Sequence, residues 1–166
     1  MRGPLAIDYL LAGTALFGGT KVALHQANLM VRRGHRVTVL SPDPPPDWFA
    51  VEADFRQVSR ISGPELPPAD VTVATFWTTI AAAAARPAGE AVHFCQGFEA
   101  SYTHNLAEHP AILAAYAKPL PALAVASHLA DLLRRRFSRP ARVVPQPLEP
   151  YWRPRERSVP ERPPRV

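Results

Sequence analysis

"AGTALFGGTKVALHQANLMVRRGHRVTVLS", residues 12–41, reads as a glycine-marked turn, a helix and a strand in immediate succession. Val22, Ala23, Ala27, Met30 and Val31 fall on one helical face of 22–33, and Gly34 stands where a helix closes in left-handed backbone. The β-branched run at 37–41 predicts a buried strand. An apolar run at 4–11 precedes the glycines, so the stretch completes a β-α-β unit, the building block of a parallel sheet. Gly13 and Gly18 have the spacing of a phosphate-binding P-loop. Lys21, however, comes two positions late, and Val22 occupies the place where a hydroxyl would hold Mg²⁺. No G-x-G-x-x-G runs through Gly13, Gly18 and Gly19 either. Two readings of the pair remain: a turn that needs glycine for its dihedrals, or bare backbone left open for a ligand.

The same alternation continues outward. A weak strand near 55–58 is followed by a strong one at 69–77, and the alanine run 79–85 reads as a helix of high propensity stopped by Pro87. Strands at 91–96 and 122–127 enclose a polar loop and a helix around 106–117. Ser127 then stands as N-cap of a helix with Leu129, Leu132, Leu133 and Phe137 on one face, and 141–148 is the last strand. Near-continuous apolar strands predict an α/β, Rossmann-like parallel sheet with helices on both faces. Ligands of such sheets sit outside the carboxyl ends of the strands, which selects 13–20, 41–47, 76–79, 96–102, Ser127 and Gln146. Residues 1–148 form the expected domain. The Arg- and Pro-rich segment 149–166 reads as a linker, and its end, "RPPRV", is where a second domain is expected to follow.

At 166 residues and 47% hydrophobic composition the chain can own a substantial core. Cys95 is the single cysteine, which excludes an internal disulfide and a cysteine-based metal site and fits a reducing, cytoplasmic setting. Apolar stretches are interrupted too often for a membrane span. Nearly all of the 19 basic residues are arginines, since only Lys21 and Lys118 are lysines. They cluster at 32–36, at 134–142 (Arg134, Arg135, Arg136, Arg139, Arg142) and in the tail. A solvated helix end is one reading of these clusters, and attraction to an anionic membrane surface or phosphorylated ligand is the other; no nucleic-acid partner is expected.

Four segments, in order, carry a resemblance. "FGGTKVALHQANLMVRRGHRVTVLS" resembles the opening of family 4 glycosyltransferases of the GT-B fold, "ADVTVATFWTT" and "HFCQGFEASY" are similar to segments of bacterial surface-polysaccharide transferases including rhamnosyltransferases, and "ALAVASHLADLLRRRFSRPARVVPQPLE" resembles the family's closing strand, helix and strand. The resemblance implies the acceptor-side half of a retaining enzyme. Such an enzyme moves a sugar from a nucleotide-diphosphate donor to a glycan or lipid-linked acceptor, without an obligatory metal or cofactor. It also implies a second domain, or a partner chain, to hold the donor. Gly18, Gly19 and Thr20 match the family's loop facing the donor phosphates or acceptor. Gln96 stands near the place of a His that many relatives carry; it can bond a hydroxyl but cannot exchange a proton near neutral pH. With Glu99 it makes the expected catalytic pair; capping of the next segment is the equal alternative reading of Glu99. Phe76, Trp77, Thr78, Tyr102 and Ser127 are the expected acceptor cleft, Trp77 either stacking on a ligand or packing. The alternative from another class is a non-catalytic Rossmann-like module that binds a nucleotide or acidic partner through its arginines.

The histidines do not form a metal set. His104 and His109 are five apart, which misses helical i, i+4 pairing, and His93 within a strand is expected in the core. His35 reads as a hinge residue. His25 and His128 are candidate ligands on helices near the cleft.

Overall fold

Alternating β-branched runs and amphipathic segments build seven parallel strands and four helices in the computed structural model, which describes residues 3–146. The strands are β1 (Ala6–Leu10), β2 (Arg36–Ser41), β3 (Asp54–Gln57), β4 (Val71–Ala74), β5 (Glu90–Cys95), β6 (Ala122–Ala124) and β7 (Ala141–Val143). Helices α1 (Gly18–Arg32), α2 (Trp77–Ala84), α3 (His109–Tyr116) and α4 (Ser127–Phe137) join them. The sheet order is β3-β2-β1-β4-β5-β6-β7, every pair parallel, so the order reverses between β1 and β4. This is the expected Rossmann-like α/β fold.

Each face carries its own core because side chains alternate along a strand. Ile7, Tyr9, Val37 and Val39 pack under Ala23, Leu24 and Ala27 of α1. Leu10, Ala74, Cys95 and Ala124 face the other way, against Ile80 of α2, Ile112 of α3 and Leu133 of α4. Leu24, Ile80, Ile112 and Leu133 are fully buried, each worth about 1.5–3 kcal/mol of transfer free energy. No helix among the described residues is long and apolar enough to cross a membrane.

Element ends depart from the sequence reading where loops fold back on themselves. Helix α1 begins at Gly18, four residues before the apolar face does. Trp77 opens α2 instead of ending a strand, because the Thr79 hydroxyl accepts hydrogen bonds from the Thr75 and Phe76 N–H groups and closes the helix start there. Ser127 is the first residue of α4, not its cap; Ala126 holds the N-cap position and provides no side-chain bond. Gly34 does close α1 with φ +87°. The linker expected at 149–166 and the last residues of the expected domain, 147–148, lie outside the described residues.

Arg139, His93 and Asp8 are among the charged or polar side chains buried in the sheet region. Arg139, expected in a solvated basic cluster, is 1% exposed: its Nε donates to Leu120 O at 2.7 Å and its Nη1 to Tyr116 O at 3.3 Å. Burial of its stem under α3 overrides the run of arginines before it. His93 is in the core as expected, and burial, with the Arg139 charge beside it, lowers its pKa to about 3. Asp8 lies within the apolar run of β1, where burial raises its pKa to about 6.

Candidate functional site

The loops that leave β1, β4 and β5 enclose a cleft of about 560 Å³ at the point where the strand order reverses. That is the position the topology reserves for a ligand, since loops diverge to opposite faces there and leave a crevice between them.

Its first wall is the segment 11–20. Thr14 fixes this loop from three sides: its N–H donates to Asp43 Oδ2 at 3.0 Å, its hydroxyl to Pro44 O at 2.9 Å, and its carbonyl accepts from Trp48 Nε1 at 3.0 Å. The 41–47 segment thus acts mainly by fastening the neighbouring loop. Phe17 caps α1 without a side-chain bond, so the N–H groups of Gly18, Gly19 and Thr20 sit at a helix start unanswered by any cap. Gly19 and Thr20 line the cleft; Gly18 lies beside it. Neither glycine has left-handed φ. A Cβ on Gly18 would meet nothing within 4 Å, and one on Gly19 would come to 3.4 Å from the Gln96 amide nitrogen. The fold therefore requires glycine at neither position, which leaves the turn reading of the pair without support.

The second and third walls follow β4 and β5. Thr75 and Phe76 line the cleft, with Thr75 Oγ1 bonded to Leu10 O at 2.7 Å. Gln96 Nε2 donates to Gly19 O at 3.0 Å, tying the β5 loop to the α1 start. Tyr102, about half exposed, stacks on His104 with rings 5.5 Å apart. Gly19, Thr20, Phe76, Gln96, Glu99 and Tyr102 are thus brought together as the sequence expects. Trp77, Thr78 and Ser127 are not. The Trp77 ring packs against the core under α2, Thr78 is exposed on that helix, and Ser127 is exposed at the start of α4 outside the cleft. Trp77 stands inside α2 rather than at a strand end, and there its ring packs on the core instead of facing the cleft.

Glu99 is the one carboxylate lining the cleft among the described residues and is 8% exposed. Its Oε2 accepts a hydrogen bond from the Tyr116 hydroxyl at 2.5 Å. Burial raises its pKa, while the Tyr116 hydroxyl and the N–H groups of Glu99 itself and Trp77 work to keep it ionised. Cys95 beneath it stays a thiol, burial lifting its pKa to about 11. Tyr116 was missed at the level of sequence: a tyrosine at the end of an apolar helix carries no signal of where its hydroxyl goes. Asp8 did leave a signal, a lone acid inside "AIDYLL".

The described arginines stand outside the cleft lining, and Arg136 lies over the Phe98 ring, 5.4 Å from its centroid. Arg32, Arg33 and Arg36 flank the start of β2, and Arg134 Nη2 bonds Ala141 O at the start of β7. Among the described residues no Lys or Arg lines the cleft. The histidines stay apart as well: His35 Nδ1 accepts from Leu5 N at 3.1 Å, and His109 Nε2 contacts Ala100 O. No group of three or more His, Cys, Asp and Glu among the described residues is arranged to hold a metal ion.

Fold and site together define a Rossmann-like α/β domain with a ligand crevice at its switch point. No protein-family model and no curated protein matches the chain.

Proposed function

We propose that this chain is the acceptor-binding half of a GT-B glycosyltransferase, its crevice holding the hydroxyl that receives a sugar from a nucleotide-diphosphate donor. The observation that carries the reading is the make-up of the crevice. It pairs one buried carboxylate, Glu99, and one amide, Gln96, with apolar walls and uncapped helix N–H groups, and among the described residues it presents no basic side chain. Carboxylate and amide groups accept and donate to sugar hydroxyls, and aromatic walls such as Phe76 and Tyr102 suit the apolar faces of a sugar or an attached lipid. A nucleotide or acidic partner would need cations aimed at its charge, and among the described residues no arginine or lysine lines the crevice. The alternative of a nucleotide or acidic-partner module is thereby the weaker one.

Gly18 and Gly19 fit the same reading, because bare backbone at the α1 start lets a phosphate or hydroxyl approach closely. Joined to a second Rossmann-like domain, the chain is expected to transfer sugar from one of a panel of nucleotide sugars to membrane-extracted acceptors. Gly19→Val places branched carbon against the Gln96 amide and over the helix start, so transfer should fall at least about tenfold. Its thermal midpoint should stay within a few degrees, since valine suits the helical dihedrals and meets only the end of a flexible side chain. Equal rates in variant and parent, measured by radiolabel incorporation, would overturn the site.

A further inference from the structure

We propose that Tyr116 is a positioning residue for Glu99, its hydroxyl turning between the Glu99 carboxyl and Gly97 O so that Glu99 can take up and release a proton in the crevice. The geometry is a single proton shared by two acceptors. Tyr116 Oη lies 2.5 Å from Glu99 Oε2 and 2.8 Å from Gly97 O, and a phenol can donate only once while also accepting.

With Glu99 ionised, Tyr116 donates to the carboxylate. Gly97 O is then still served by the Cys95 thiol at 3.2 Å. With Glu99 protonated, its own O–H donates to Tyr116 Oη, and the phenol turns to Gly97 O. Neither state strands a buried polar group, and the change needs rotation about one C–O bond without movement of heavy atoms. That matters because an unanswered buried donor or acceptor costs about 1–3 kcal/mol.

Groups from every element packed on Glu99 leave it free to titrate. From β5, Cys95 and His93 have their pKa values near 11 and 3, so neither changes charge around neutrality. From α3, Tyr116 is held far above its ordinary range by burial. Arg139, following α4, bonds Leu120 O and Tyr116 O while its Nη2 has no partner, and Arg136 of α4 lies over the Phe98 ring; among the described residues neither forms an ion pair with the carboxylate. From α2 there is only the Trp77 N–H. Resting on the proposed reading of the crevice, the proton comes from the bound hydroxyl. The ligand O–H bond breaks, the proton joins Oε2 of Glu99, the oxygen that faces Tyr116, the electron pair stays on the ligand oxygen, and Tyr116 swings to Gly97 O.

The test is a carboxyl ¹³C NMR titration of the whole chain with labelled glutamate, the Glu99 signal assigned by Glu99→Gln. The parent should titrate above the ordinary glutamate range. Tyr116→Phe keeps the ring and removes the donor to the ionised form, so the Glu99 midpoint should move up by about one pH unit, a tenfold tighter hold on the proton. An unmoved or lowered midpoint overturns the proposal. A second measurement needs no variant: the Tyr116 ¹³Cζ shift of the parent should follow pH with the Glu99 midpoint, and a flat response overturns the proposal. Both readouts are independent of transfer. If they hold while the pH profile of the joined enzyme is unchanged in Tyr116→Phe, the switch stands and the transferase reading of Glu99 falls.

Discussion

Asp8 and His93 are both buried, and their effects on stability run in opposite directions with pH. Burial raises the Asp8 pKa from 3.8 to about 6, so its contribution favours the fold below about pH 3.8 and is lost as pH rises through 6. Its Oδ2 finds no partner, which is why ionisation is costly there. His93, lowered from 6.5 to about 3, contributes stability that is full above pH 6.5 and is lost as pH falls towards 3. Between pH 4 and 6 the two slopes oppose each other, each about 1.4 kcal/mol per pH unit. Asp8→Asn should therefore gain about 2 kcal/mol over the parent at pH 8, the gain vanishing by pH 4, in urea unfolding followed by circular dichroism. A gain that is independent of pH would show that Asp8 is not the titrating group.

At the scale of elements, the turn into β5 is the tightest junction described. Gly89 has φ +80°, and a Cβ there would stand 1.9 Å from Ala69 O and 2.8 Å from Asp70 O. The same turn seats β5 beside β4, with Glu90 N donating to Asp70 O at 2.9 Å, while Asp70 Oδ2 accepts from Ala6 N at 2.7 Å. Three strand starts thus depend on one backbone approach. Gly89→Ala combines left-handed backbone with a clash against main-chain atoms that no rotamer can relieve, and a loss of at least about 3 kcal/mol is expected in the same unfolding assay. A loss under 1 kcal/mol, on the order of an ordinary surface change, would mean that the turn relaxes freely.

At the scale of the molecule, the proposed transfer leaves a diphosphate that must be met by fixed charge, and among the described residues the crevice offers none beyond a helix start. Each tenfold in rate corresponds to about 1.4 kcal/mol of transition-state stabilisation, so several missing charge-assisted contacts remove orders of magnitude. The isolated 166-residue chain is expected to show no sugar transfer above background, and to gain it only with a second domain that brings cations to the donor. Radiolabelled nucleotide sugars with membrane-extracted acceptors measure this directly. Turnover by the chain alone would overturn the half-enzyme reading.

The strand and helix alternation was legible in the sequence because burial on both faces of a parallel sheet demands continuous apolar strands, and helices between them demand one apolar face. From that alternation the edge that holds a crevice also followed, so Gly19, Phe76, Gln96 and Glu99 could be singled out by their places after strands. What stayed hidden depends on contacts between segments distant in the chain. Whether Trp77 packs or faces the crevice was decided by where the Thr79 hydroxyl starts α2. That the glycine pair is not a requirement of the turn rests on the space above α1 and on Gln96, 77 residues away. The Tyr116 hydroxyl and the burial of Arg139 came only with the docking of α3 on β5, because local sequence sets which face of a helix is apolar but not which atom its polar tips will find.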